Sequence, residues 1–332
     1  MGLPVHWAGA CEDATHSFVG SSALTERMET LFSANPRLES KLSQVGSYGG
    51  GNHFGEAQAV EIAPGAESIA EYFGVKAGRV GFLSHCGSRG FGYQLAGAHF
   101  RSLKAHFERG GIPFPGGDHE LVYARLGTPE ADAYLADMAL GANFATVNHL
   151  LINTLVLEAF QEVIPGTQGE LVYYIAHNIA RQELVDGRRA WVYRKGATRA
   201  FPAGHPDLRD TRFAATGHPI LLPGNPEAGS YIMVAEAGAK ESCYSINHGA
   251  GRAMGRMAAK RTLKQADVDA SMLAHDVLSN CRNYPVDEAA AAYKNFTDVI
   301  DSVIEAKLAR PVARLRARFV IKDANQEAEG AA

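Results

Sequence analysis

The sequence is poor in the features that mark secreted and membrane proteins. Four cysteines are spread through 332 residues without a CxxC pair, a usage typical of a reducing compartment rather than of a disulfide scaffold. No uninterrupted run approaches the roughly 18 apolar residues that span a bilayer, and the first residues lack a charged leader followed by an apolar segment. These absences predict a cytoplasmic protein with no membrane partner.

The sequence also has no large excess of charge of either sign. The formal net charge of −4 excludes a protein that is basic over its whole surface, so contact with nucleic acid would need a local basic patch. Basic residues recur every four positions, as on one face of a helix, at Arg252, Arg256, Lys260 and Lys264. A second basic group alternates with apolar residues, as in a strand, at Arg314, Arg316 and Arg318.

The composition is that of a globular protein, with 46% hydrophobic residues and a length that allows one large domain or two. Helices are predicted over 22–41 and over 129–163, the second broken near Gly141. Short strands are predicted at 57–62, 79–84, 170–176, 189–193, 230–235 and 242–246, the last two as a pair. The pattern predicts a mixed α/β fold, followed by a disordered tail at 323–332.

Three strings place histidine beside glycine: GGGNHF from Gly49 to Phe54, HCGSRGFG from His85 to Gly92, and NHGAGR from Asn247 to Arg252. Glycine-rich turns leave backbone amides free to face a metal or a phosphate oxygen. A fourth histidine, His177 in HNIARQE, follows an apolar run. Because loops beyond strand ends often carry function, these strings indicate a site assembled from scattered segments.

His53, His85 and His177 have the chemistry of metal ligands, since neutral imidazole binds borderline divalent ions. Any one of them alone is better explained as a hydrogen-bonded structural histidine, and the sequence has no HxH or HExxH pair. Three such residues at predicted strand ends favour a metal site.

The NHGAGR string differs, because a helix is predicted to begin near Gly251. Glycine amides and Arg252 at such a position would stabilise a phosphoryl group on the imidazole of His248. The helix dipole would disfavour the protonated ring and leave a nitrogen lone pair as nucleophile. A helix-capping turn explains the string equally well.

Other polar residues near these strings also have two interpretations. Asn52 and Glu56 bracket His53. They would either orient it or bind a polar ligand, or they only make ordinary loop hydrogen bonds. Arg89 in HCGSRG is suited to grip phosphate at two points, or is an exposed arginine in a tight turn. Lys195, predicted after a strand, would neutralise a phosphate or remain a solvated surface lysine.

Taken together, the strings resemble the RtcB family of RNA-splicing ligases. Motifs of that family occur in order between about Val45 and Lys322, as GSYGGGNHFGEAQ, HCGSRGFG, HNIARQE, YRKGATRA, LLPGNPEAGS, NHGAGRAMGR, AAYKNF and VIK. The resemblance implies one large domain with mixed sheets over 1–322. It also implies the family's reaction, in which GTP and manganese are used to join RNA 3′-phosphate or 2′,3′-cyclic phosphate ends to 5′-hydroxyl ends.

The resemblance assigns a role to each motif residue. His248 would be the nucleophile that attacks GTP and carries the histidine-GMP intermediate. His53, His85 and His177 would be ligands of manganese, of which the complete family site holds two ions. The residues implied to contact the nucleotide are Asn52, Glu56, Gly249, Gly251, Tyr293 and Lys322.

The sequence also departs from the family pattern. The family carries a DxGC segment before the first motif, whose aspartate and cysteine complete the metal site; here Cys11 lies in CED instead. Serine is usual where Cys86 and Asn247 stand, and the loop at 224–226 reads Gly-Asn-Pro instead of Gly-Ser-Met. We therefore expect a chain that begins downstream of the family's N-terminal segment, or a diverged subfamily, with weak manganese binding and poor ligation.

Two other functions remain open at this point. One is a metal-dependent phosphoesterase or RNA end-processing protein that uses the same histidines without a covalent intermediate. The other is an inactive RNA-binding remnant, in which the basic residues from Arg252 to Lys260 bind RNA without metal.

Overall fold

The computed structural model describes residues 21–323. Cys11 and all but the first residue of the predicted tail lie outside this range. The helices are α1 Ser21–Ala34, α2 Pro36–Glu39, α3 Glu67–Phe73, α4 Arg89–Gly110, α5 Pro129–Val163, α6 Arg256–Thr262, α7 Gln265–Ala274 and α8 Phe296–Glu305. The strands are β1 Phe54–Ile62, β2 Val80–His85, β3 Asn178–Val185, β4 Arg188–Lys195, β5 Ala197–Arg199, β6 Pro219–Asn225, β7 Gly229–Ala235, β8 Ser245–Asn247, β9 Leu278–Ser279 and β10 Ala309–Ile321. The predicted mixed α/β class is confirmed.

By their internal contacts the described residues group into two compact units. The first comprises 21–48 and 86–171, and the second comprises 49–85 and 172–323. Each unit is therefore built from two separate stretches of chain. The predicted extent of one domain, 1–322, stays a prediction.

The first unit is helical, and its longest element is α5. Thr128 caps α5 through a hydrogen bond from Ala131 N to its Oγ1, and Pro129 occupies the first turn, where no amide is needed. The predicted break near Gly141 is wrong, since α5 runs unbroken for 35 residues. A Cβ at Gly141 would lie 3.9 Å from the Cα of Gly92 on α4, so the missing side chain allows the two helices to approach closely, which offsets the low helix propensity of glycine.

A buried carboxylate ties three helices of this unit together. Asp137 of α5 accepts hydrogen bonds from Arg27 on α1 at 2.7 and 2.9 Å, and its Oδ2 lies 2.6 Å from Nε2 of His99 on α4. Burial alone would raise the pKa of this carboxyl, but the hydrogen bonds from His99 and Arg27 outweigh burial and lower it.

Helix α5 is also long and apolar enough to cross a membrane, judged by length and composition alone. Of the most apolar 18-residue stretch of this helix, 39% is buried inside the protein. The core helix of a soluble protein passes the same test, so this feature is weak evidence for a membrane span.

The second unit is organised around a six-stranded sheet with the order β2-β1-β10-β7-β6, in which β9 pairs with β10 in parallel. All other neighbours are antiparallel. Alternate residues of β7 face two different cores: Ile232 packs with Phe73 and Phe213, whereas Met233 packs with Phe296 of α8. This part of the sheet is therefore covered on both faces.

Two strand predictions are wrong. The stretch 170–176 contains only an isolated bridge residue at Tyr174, and the strand lies at β3 instead. Tyr173 and Tyr174 are buried, so the apolar run marks burial rather than strand pairing. The predicted pairing of 230–235 with 242–246 is wrong because β7 pairs with β6 and β10, while β8 pairs with β5.

Two other sequence patterns have different outcomes. The alternating segment is confirmed as a strand, in which Leu315 and Ala317 are buried. Of its three arginines, Arg316 and Arg318 are exposed and Arg314 is half-buried. The helix predicted near Gly251 begins later, at Arg256, with Gly255 as its N-cap. The NHGAGR string is therefore a loop, not a helix start.

Candidate active site

The site histidines lie at strand ends of the second unit. His53 immediately precedes β1, and His85 is the last residue of β2. The antiparallel register pairs Phe54 with His85, and the two rings stack with centroids 5.6 Å apart. Strand pairing therefore brings the GGGNHF string beside His85.

The other two histidines meet through the β5–β8 pair. His177 immediately precedes β3, and its carbonyl accepts a hydrogen bond from Ala197 N. His248 follows β8, and its amide donates to the carbonyl of Gly196. Because Gly196 and Ala197 are consecutive, His177 and His248 become neighbours. Gly196 has φ +69° and a Cβ there would lie 3.5 Å from the His248 ring, so glycine favours this turn.

All four imidazoles form one cluster. Ring centroids lie 3.9 Å apart for His177 and His248, 5.0 Å for His85 and His177, and 5.8 Å for His85 and His248. His53 joins through the His85 ring, at 5.9 Å. Asn52 Nδ2 lies 3.4 Å from His85 Nε2, so the histidine that it contacts here is His85, whereas the sequence had suggested His53.

Within this cluster, the residues whose ligand atoms all lie within 4.8 Å of one another are His85, His177 and His248. The set includes the predicted nucleophile and differs from the predicted ligand set by omitting His53. Imidazole nitrogens suit a borderline divalent metal ion, so these three residues fit such an ion. Their donor set contains no carboxylate, which is the ligand that manganese prefers.

The environment of His248 favours the neutral ring. Burial lowers its pKa, and a hydrogen bond with the backbone of Gly196 partly opposes this effect. The predicted cause, a helix dipole, is wrong because His248 lies in a loop eight residues before α6. A neutral imidazole keeps a nitrogen lone pair for a metal or for attack on phosphorus.

A second group of polar residues lies buried beside this loop. Glu56 of β1 is 3% exposed and accepts a hydrogen bond from Gln58 Nε2 at 2.7 Å. Burial raises its pKa to about 7, although Gln58 and the charge of Lys322 both oppose the rise. Lys322 Nζ donates to the carbonyl of Gly51 at 2.7 Å, which holds the glycine loop against the end of β10.

Glu288 joins the residues of this buried group, and nothing in the sequence had singled it out. It is 3% exposed and accepts a hydrogen bond from the Tyr293 hydroxyl at 2.7 Å. Its carboxylate also lies 3.7 Å from Lys322 Nζ and 3.2 Å from Arg252 Nη1. A carboxylate five residues before Tyr293, in a short acidic and alanine-rich stretch, gives no periodic signal, so only the fold reveals this role.

The predicted basic face of one helix is confirmed only for Arg256 and Lys260, which lie on α6, whereas Lys264 is the N-cap of α7. Arg252 lies in the loop, where its backbone forms an isolated antiparallel β-bridge with Tyr293. The guanidinium carbon of Arg252 lies 5.1 Å from the centroid of the Tyr293 ring. Arg256 at the start of α6 pairs with Asp287 and Glu288, and Lys260 lies 3.8 Å from Asp287. Because buried carboxylates neutralise these cations, the stripe is chiefly structural.

The glycines of the NHGAGR loop shape its backbone. A Cβ at Gly249 would lie 3.2 Å from the carbonyl of Pro223, and Gly251 has φ +74°. Asn247, in the place of the family's serine, donates from Nδ2 to the carbonyl of Gly249 at 2.9 Å. The loop thus connects the histidine cluster at His248 to the buried group at Arg252.

The remaining candidates lie elsewhere or have other partners. Arg89 belongs to the first unit, where its Nε donates to Ser47 Oγ at 3.2 Å. Cys86 is in the same unit, and burial raises the pKa of its thiol, which argues against a thiolate role. Lys195 is exposed at the end of β4, adjacent to the Gly196 turn beside His248.

Comparison with known proteins identifies the family of the chain. A family profile described as tRNA-splicing ligase RtcB matches residues 7–323. The tRNA-splicing ligase RtcB of Thermococcus kodakarensis is 39% identical over 84% of this chain and 59% of the relative. The protein of that name from Pyrococcus furiosus is 38% identical over 84% of this chain and 30% of its own length, and the RNA-splicing ligase RtcB of Mycobacterium bovis is 36% identical over 84% and 64%. The chain thus spans between 30% and 64% of these relatives.

Proposed function

We propose that this chain, which belongs to the RtcB family of tRNA-splicing ligases, is an RNA ligase. It would use GTP and manganese to join a 3′-phosphate or 2′,3′-cyclic phosphate end to a 5′-hydroxyl end. The observation that carries the proposal is the clustering of His85, His177 and His248, whose ligand atoms lie within 4.8 Å of one another. A nucleophile beside groups that bind a cation is what phosphoryl transfer requires.

His248 supplies the nucleophile. In the first step a ring nitrogen attacks the α-phosphorus of GTP, a P–N bond forms, and pyrophosphate leaves. A 2′,3′-cyclic phosphate would first be opened by water to a 3′-phosphate. An oxygen of the RNA 3′-phosphate then attacks the phosphorus of the bound GMP, and the P–N bond to His248 breaks. The 5′-hydroxyl finally attacks the 3′-phosphate with GMP as leaving group. The lowered pKa of His248 keeps the ring unprotonated and therefore nucleophilic at neutral pH.

The buried group beside the NHGAGR loop supplies the nucleotide pocket. Glu56 accepts hydrogen bonds from donors of guanine when it is ionised, while Tyr293 offers a ring face and Lys322 a cation. The Tyr293 hydroxyl is held by Glu288, which fixes the ring before a ligand arrives.

A divalent metal held by the histidines would neutralise the negative charge that phosphoryl transfer concentrates on phosphate oxygens. The chain's own part is to hold those imidazoles close together. Asn52 beside His85 would contact a phosphate oxygen of the nucleotide.

The test is transfer of label from [α-³²P]GTP to the protein in the presence of Mn²⁺, followed by denaturing separation. We expect an acid-labile label on the chain and on His275→Ala, because His275 is an exposed histidine of the same unit, with half of its side chain accessible. His248→Ala should carry no label. Undiminished labelling of His248→Ala, or no label on the unmodified chain, contradicts the proposal.

One observation favours a second candidate. Since His248 lies in the set whose geometry suits a metal, it would serve as a ligand rather than a nucleophile in a metal-dependent phosphoesterase. Hydrolysis of a 2′,3′-cyclic phosphate without any protein-bound GMP would support this candidate. Protein-bound GMP that chases into a joined RNA product supports the ligase.

A further inference from the structure

The β3–β4 ribbon carries exposed aromatic rings on its outer face. Trp191 and Tyr193 are two residues apart on β4, so both project from the same face of the ribbon. They are 37% and 70% exposed. Their cross-strand partners are Gln182 and Ala180.

The opposite face of the ribbon is anchored in the second unit. Arg194, buried at 3% exposure, bonds both oxygens of Glu183 at 2.6 and 2.7 Å and donates from Nε to Ser245 Oγ at 2.9 Å. Arg194 also donates to the carbonyls of residues 243 and 244. These bonds hold the ribbon against β8, the strand that ends one residue before His248. The position of the aromatic face relative to the histidine cluster is therefore defined by a buried network.

The ribbon begins beside the histidine cluster and extends away from it. In its first pair Asn178, which follows His177, lies opposite Lys195, which precedes the Gly196 turn beside His248. Lys195, Tyr193 and Trp191 then follow one another along the outer face, about 7 Å apart along the strand. That spacing allows neighbouring bases of an unpaired strand to lie on successive rings.

We propose that this outer face, from Lys195 to Trp191, binds the single-stranded RNA next to the reacting end. Bases stack on Tyr193 and Trp191, and the exposed ammonium of Lys195 contacts the phosphate nearest the histidines. Aromatic stacking with a cation beside it is the usual chemistry of sequence-tolerant binding to single strands. The inference rests on the proposed function only in taking RNA as the substrate.

The test measures binding of a fluorescein-labelled, unstructured 12-nucleotide RNA with a 3′-phosphate by fluorescence anisotropy, without GTP. Tyr193→Ala and Trp191→Ala should each weaken binding about tenfold, the loss expected when one stacked base loses its ring. Tyr193→Phe keeps the ring and should bind within about twofold of the unmodified chain. Tyr93→Ala removes a tyrosine that is 81% exposed on α4, and it should leave the affinity unchanged.

Thermal unfolding of each variant checks that a loss of binding does not come from a loss of fold. Equal affinity of Tyr193→Ala and Tyr93→Ala, or no binding by the unmodified chain, overturns the inference. A concentration-dependent self-association abolished by Trp191→Ala, with RNA affinity unchanged, overturns it in favour of a protein contact. The proposed function fails separately, by absence of ligation and of protein-bound GMP while RNA still binds to the ribbon.

Discussion

Ionisation of Glu56 should weaken the fold as the pH rises. Burial is the main cause that raises the pKa of this carboxyl from 4.5 to about 7. The folded chain therefore binds more protons than the unfolded chain between these pH values, and its free energy of unfolding falls with increasing pH. Glu56→Gln removes the ionisation and retains an oxygen that accepts the hydrogen bond from Gln58.

The magnitude follows from the size of the shift. A difference of about 2.5 pKa units at about 1.36 kcal/mol per unit corresponds to about 3 kcal/mol. Glu56 is fully buried, so solvent screening does not reduce this value as it would for a surface group. At pH 8 the variant should exceed the unmodified chain in stability by about 3 kcal/mol, whereas near pH 4.5 the two should be equal.

Urea unfolding at several pH values between 4.5 and 8 measures the effect. The matched control is Glu61→Gln, on the same strand, because Glu61 is half exposed and its hydrogen bond with Arg316 lowers its pKa. Glu61 is ionised in the folded state, and it is also almost fully ionised in the unfolded state once the pH is well above 4.5. Its replacement should therefore not alter the slope at the upper end of the range. Parallel curves for Glu56→Gln and the unmodified chain would refute the reasoning.

Three further outcomes are expected. Asp137→Asn should lower the free energy of unfolding in urea by about 2 kcal/mol, because Arg27 and His99 lose a buried anion. The control Asp132→Asn, on the exposed side of α5, should lower it by less than about 0.5 kcal/mol. Equal losses would contradict the structural role of Asp137. Gly65→Ala should lower the free energy of unfolding by about 1 to 2 kcal/mol, for its positive φ alone. Gly229→Ala should lower it more, because a Cβ there would lie 2.2 Å from the carbonyl oxygen of Leu315. A larger loss for Gly65→Ala than for Gly229→Ala would contradict this geometry. In calorimetric titrations Zn²⁺ should bind more tightly than Mn²⁺ and His177→Ala should lose most of that binding, so tighter binding of Mn²⁺ would indicate oxygen ligands.

The chain positions of the site histidines could be predicted because local patterns mark them. A run of apolar residues that ends at a glycine turn placed His85 at the end of a strand, and the structure agrees. Which histidines become neighbours could not be predicted, because strand pairing decides it over long separations. The contact of His177 with His248 depends on the β5–β8 pair, whereas the sequence pattern favoured a different partner for that strand.

Buried charge was the other feature that the sequence could not reveal. Glu288 lies in an acidic stretch that would suit a solvated surface, yet it is 3% exposed and bonded to Tyr293. Arg252 and Arg256 follow a helical spacing, yet the first lies in a loop that bridges to Tyr293. In both cases tertiary partners override local periodicity, because a buried carboxylate stabilises whichever cations can reach it.

Burial has the same effect on the ionisation of three residues of the site. Burial is the largest cause that moves the pKa values of Glu56, His248 and Lys322, and it moves each toward the neutral form. A neutral His248 is nucleophilic, whereas a polar partner that replaces the lost solvent would favour the charged forms of Glu56 and Lys322. A nucleotide that offers hydrogen-bond donors to Glu56 and an acceptor to Lys322 would supply that partner. Under the proposed function, the free-energy cost of burying these groups would favour a ligand that matches both.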